Sequence, residues 1–177
     1  RISAEYSGTP AAGYQVESIM TTPNVISIAG SEDALAALKE QNNTIWLPGS
    51  VADISDRNSD FEEKINISDY LPDGLKLTSD SSEDVFVRVN ILPEGSNVCE
   101  VPTKNIIVND SPEGMQVSFD TAKIEIRVKK TSDDLADLTE GDIKASIDLK
   151  GMSEGSYEVP VSIEIPKGYE LVDEVTT

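Results

Sequence analysis

Leu71-Pro72-Asp73-Gly74-Leu75-Lys76-Leu77 returns late in the chain as Ile165-Pro166-Lys167-Gly168-Tyr169-Glu170-Leu171. Each stretch opens on an aliphatic residue, turns on Pro-x-Gly and closes on two apolar residues at strand spacing. A sequence that repeats itself in order builds the same unit twice, so the repeat decides the architecture. Three more blocks precede the first stretch and recur in the same order. Gly13-Tyr14-Gln15-Val16 becomes Gly114-Met115-Gln116-Val117, and Ser31–Leu38 (SEDALAAL) becomes Thr131–Leu138 (TSDDLADL). Val51-Ala52-Asp53-Ile54 becomes Ser146-Ile147-Asp148-Leu149.

Within each copy, period-two alternation dominates. Val25, Ile26 and Ile28, then Ile65 and Ile67, then Val85, Val87, Val89 and Ile91 place β-branched residues at strand spacing. In the second copy Ile124, Ile126 and Val128 face one way, and Glu125, Arg127 and Lys129 the other, as a half-wet antiparallel sheet allows. Glu32–Glu40 is the exception: Leu35 and Leu38 among alanines predict a short helix, capped by Ser31 with Glu32 and Asp33 at its positive end. Asp133–Leu138 predicts a shorter helical turn. The expectation is a mainly β chain of two tandem β modules, each with one short helix.

The predicted organisation is a module over 1–92, a linker over 93–103 and a module over 104–177. Pro93, Gly95 and Pro102 mark the linker as semi-rigid, so an elongated pair of beads is expected. After Leu77 the first copy runs on into the strand around Val85–Ile91, whereas the second copy stops where its counterpart should begin. That predicts an open strand edge on the second module.

Composition narrows the function. The formal charge is −19, from 33 acidic and 14 basic residues. Phosphate backbones draw most of their affinity from clustered Lys and Arg. The nearest approach to such a cluster is Arg127, Lys129 and Lys130 on one strand, so nucleic acid is not an expected partner, nor is an anionic membrane surface. The acidity suits solubility and the steering of cations or basic patches. No apolar run reaches about 18 residues, so no direct membrane insertion is expected, and no signal-peptide pattern opens the chain. Cys99 is the sole cysteine, which excludes an internal disulfide or a cysteine zinc cluster.

The stretches that repeat also resemble a known family. Gly8–Val16 (GTPAAGYQV), Pro23–Gly30 (PNVISIAG), Val51–Ser55 (VADIS) and Leu71–Gly74 are similar to YbbR-like domains, as are Ile143–Gly151 (IKASIDLKG), Gly155-Ser156-Tyr157 and Ile165–Gly168. The similarity spans nearly the whole chain. The resemblance implies a membrane-anchored protein with one amino-terminal helix and several such repeats on the extracytoplasmic side, chiefly in Gram-positive bacteria. It implies a partner as well, the membrane diadenylate cyclase that makes cyclic di-AMP, and no catalytic or cofactor residues. This sequence departs from the pattern in lacking that helix and a complete last repeat. If contact with the cyclase runs through the helix, these repeats alone bind it poorly.

A search for chemistry agrees with a non-enzyme. Histidine is absent, which removes the usual general base and the commonest transition-metal ligand. Gly30, Gly49 and Gly74 are isolated turn glycines rather than a phosphate loop. Asp53, Asp56 and Asp60 read as a polar loop; calcium is the sharper alternative, although the glycine and terminal glutamate of the helix–loop–helix motif are missing. Asp80, Glu83 and Asp84 sit in a Ser-rich turn. Cys99 lacks a basic neighbour to activate it, and Trp46, between Ile45 and Leu47, is expected in core or inter-module packing rather than ligand stacking. No catalytic, cofactor or metal residues are assigned. The expected function is a regulatory or interaction segment; the alternative is a structural spacer or adhesive stalk on the cell surface.

Overall fold

The computed structural model describes residues 1–177, which divide into two units, Arg1–Leu92 and Pro93–Thr177. Each unit has its own buried aliphatic cluster. Strands predominate: thirteen of them accompany a single α-helix.

The first unit holds β1 (Ile2–Ala4), β2 (Tyr14–Thr22), β3 (Ile28–Gly30), helix α1 (Glu32–Glu40), β4 (Ile45–Leu47), β5 (Phe61–Asn66), β6 (Leu75–Leu77) and β7 (Asp84–Pro93). β1 lies parallel to β4, and β3 antiparallel to β6. β7 occupies the middle of a sheet ordered β2-β7-β5. Its sequence accounts for that place. Val85, Val87 and Val89 are fully buried and Ile91 nearly so, while Phe86 and Arg88 point outward. Burying four such side chains contributes about 1.5–3 kcal/mol each before entropy is counted. Val25 lies outside β3 and is exposed, and Ile67 sits, fully buried, in a single 3-10 turn after β5. Helix α1 matches its sequence: the Ser31 hydroxyl accepts the Ala34 N–H at 3.3 Å, and Leu38 is its one buried side chain.

The second unit holds β8 (Ser96–Pro102), β9 (Ile107–Asn109), β10 (Lys123–Lys130), β11 (Lys144–Asp148), β12 (Ser162–Glu164) and β13 (Tyr169–Leu171). They form two three-stranded sheets, β13-β10-β8 and β12-β11-β9. As expected, Ile124, Ile126 and Val128 of β10 are buried.

Two expectations need correction. The predicted linker 93–103 is mostly strand, because β8 pairs antiparallel with β10 along its whole length, from Ser96 opposite Lys129 to Pro102 opposite Lys123. Pro93 and Pro102 bracket that strand and do not interrupt it, which costs no internal ladder hydrogen bond. Cys99 and Val101, two apart, bury their side chains on the core side. The second correction concerns Asp133–Leu138, which forms a turn and no helix. Its carbonyls are taken by tertiary partners: Tyr169 Oη–H donates to the Ala136 oxygen at 2.7 Å, and Cys99 Sγ–H to the Leu138 oxygen at 3.1 Å. Six residues with three aspartates cannot offset the cost of nucleating a helix.

Several local arrangements occur in both units. Ile54 N–H donates to the Ser7 oxygen at 2.9 Å, and Leu149 N–H to the Asn109 oxygen at 3.0 Å. The Asp53 and Asp148 carboxylates each accept the N–H two residues on, from Ser55 at 3.0 Å and Lys150 at 2.8 Å. Gly74 and Gly168, both at positive φ, lie against Ser31 and Thr131 respectively. The antiparallel pair Ile28–Leu77 has its like in Val128–Leu171.

Candidate functional site

The acidic loop after β4 is the strongest candidate for chemistry, and the fold turns Asp53 and Asp60 to different partners. Asp53 accepts the Ser55 hydroxyl at 2.6 Å as well as its N–H, and those bonds hold its carboxyl below the usual range, the hydroxyl contributing most. Asp56 follows at a positive φ of 56°. Asp60 turns the other way, taking the Arg88 guanidinium at 3.0 Å on one oxygen and the Ile91 N–H at 3.0 Å on the other. Between them Arg57 donates to the Asp53 carbonyl at 3.1 Å and lies over the Phe61 ring, 4.2 Å from its centroid. No three of the chain's Asp, Glu or Cys side chains gather closely enough to hold a metal ion.

The second acidic candidate, around Asp80, borders a cleft of ≈320 Å³ lined by Pro23, Val25, Ile26, Ser27 and Asp80–Ser82. Its polar groups are committed to one another. Ser81 Oγ accepts the Ser27 N–H at 2.8 Å and donates to the Ser27 oxygen, to which Thr78 Oγ1 also donates at 3.2 Å. The Thr78 hydroxyl also meets the Asp80 carboxylate, and that bond lowers the carboxyl's pKa. Asp84 pairs with Lys64 at 2.8 Å, and the Glu83 backbone oxygen accepts the Ile67 N–H. The cleft is thus a pinned turn beside the exposed Val25, with no pair of carboxyls converging on it.

Cys99 is buried, and burial, the largest cause, pushes its thiol pKa up, with the Asp142 and Asp137 charges acting the same way. A neutral thiol is a poor nucleophile and metal ligand. Trp46 corrects its expectation: it sits in β4 between the buried Ile45 and Leu47, yet the residue is 59% exposed, so it is not a core residue. The basic strand is partly neutralised, since Arg127 meets Asp173 at 3.5 Å and Lys130 meets Asp137 at 2.8 Å.

One network escaped the sequence reading. Asn90 is 3% exposed; its amide donates to Ser18 Oγ at 3.0 Å and its carbonyl oxygen accepts Arg88 Nε at 3.0 Å. With Asp60 this chain of bonds ties β2, β7 and the loop before β5 together, and satisfied buried polar groups of this kind make an alignment specific. The signal was available in Asn90, a polar residue among strand aliphatics. Chemically, the molecule offers exposed apolar side chains and acidic surface rather than a nucleophile with a base. No helix is long and apolar enough to cross a membrane.

Comparison with known proteins gives this surface a context. Residues 101–177 match the family model described as YbbR-like protein. The chain is 23% identical over 164 residues to the CdaA regulatory protein CdaR of Bacillus subtilis (strain 168), an alignment covering 92% of this chain and 32% of that protein. The chain therefore spans about a third of its relative's length. No solved structure gives a significant match. Over residues 101–177, and more weakly along nearly the whole chain, this sequence is therefore similar to YbbR-like proteins.

Proposed function

We propose that this chain is a regulatory segment of a membrane-anchored protein, lying on the extracytoplasmic side, that binds a membrane diadenylate cyclase and modulates cyclic di-AMP synthesis without catalysing a reaction itself. The observation that carries the reading is the similarity to CdaR, a CdaA regulatory protein, over 92% of the chain. We further read the two units as versions of one module, supported by the recurring Asp turns, glycine contacts and strand pairs and by the sequence blocks that share them. Acting through position or oligomerisation, such modules bias an attached helix and thereby the enzyme beside it.

The test reconstitutes the full-length protein with the cyclase in membranes and measures cyclic di-AMP formation, then repeats it with residues 1–177 deleted. The reading expects the rate, or its response to envelope stress, to change on deletion. An unchanged rate and an unchanged response would leave these units as a passive spacer and overturn it.

A further inference from the structure

We draw no further inference here: the strongest candidate, the cleft of the first unit lined by Pro23, Val25, Ile26, Ser27 and Asp80–Ser82, has its Ser81 hydroxyl bonded to the Ser27 backbone, and nothing in the structure shows what covers the exposed Val25 beside it.

Discussion

The first unit centres a sheet on β7, between β2 and β5, and buries four aliphatic residues along it, whereas the second centres a sheet on β10, between β8 and β13, and buries Ile124, Ile126 and Val128. Each unit thus rests on a central strand with a ladder on either side, and the comparison shows how much of a small β unit's order such a strand carries. A strand with neighbours on both sides satisfies two ladders and buries its inner face; without it, both neighbours lose their partner and expose what they would have buried. In the second unit β8 joins β10 along its whole length and brings Cys99 and Val101 into the core.

The sharpest way to break this comparison is to spoil β7. Val87→Asp buries an unpaired charge at a fully buried site, and about 4 kcal/mol or more of first-unit stability should be lost. Denaturant unfolding followed at Trp46, the only tryptophan and a first-unit residue, reads the loss. Amide exchange in β10 should stay as it was; loosening there would mean that the two units do not stand apart energetically.

A smaller effect is expected at Asp60, which has no counterpart tie in the second unit. Asp60→Ala removes the acceptor for both the Arg88 guanidinium and the Ile91 N–H, at a cost of about 1–3 kcal/mol. Asp60→Asn should recover part of it, because a carbonyl oxygen still accepts. If alanine and asparagine lower the urea midpoint equally, the carboxylate's hydrogen bonds are not what matters.

The two turn glycines sharpen the comparison further. Gly74 and Gly168 hold φ of 83° and 96°, where an added Cβ costs about 1–2 kcal/mol. In the first unit that Cβ would come within 3.2 Å of the Ala34 Cβ, fixed on α1; in the second it would meet the Leu135 Cδ1 at 2.8 Å, a methyl on a rotatable side chain. Gly74→Ala should therefore lie at the upper end of the range and Gly168→Ala at the lower, measured as shifts in each unit's unfolding midpoint. The reverse order would show that the Asp133–Leu138 turn is as rigid as the helix.

The smallest effect is pH dependence, and its alkaline side singles out Cys99 in the second unit. The Cys99 thiol is raised in the folded state, so its contribution is full below the unfolded value of 9.0 and declines as pH rises through the folded value. Asp53 and Asp80 in the first unit are lowered, so theirs is present above 3.8 and declines as pH falls below it. Urea midpoints of the second unit should fall as pH rises above 9.0, and less so in Cys99→Ala. An alkaline decline unaffected by that substitution would remove Cys99 as its source.

Much of this was legible in the sequence. The alternation of Val85–Ile91 and Ile124–Val128 marked the two central strands, and Ser31 with Leu38 marked the helix and its buried face. Local patterns specify local elements well because side-chain period follows backbone period. The misreadings arose where tertiary partners decide. Pro93 and Gly95 suggested a linker until β10 supplied a ladder for Ser96–Pro102, and Tyr169 and Cys99 claimed the carbonyls a helix at Asp133–Leu138 would have needed. The acidic loop shows the same limit: spacing revealed Asp53, Asp56 and Asp60, but only the fold shows Asp60 turning away to Arg88.

The place of β7 also bears on when the first unit can fold. Its central strand is the last that a ribosome or translocation channel releases, so nearly all of Arg1–Pro93 must emerge before β2 and β5 have anything between them. Until then two nascent edges wait open, and long loops must close before any of these rungs form, which makes folding slow. Synthesis order and spatial order run against each other here, and the emerging polypeptide needs shelter from its neighbours for the time it takes to make one more strand.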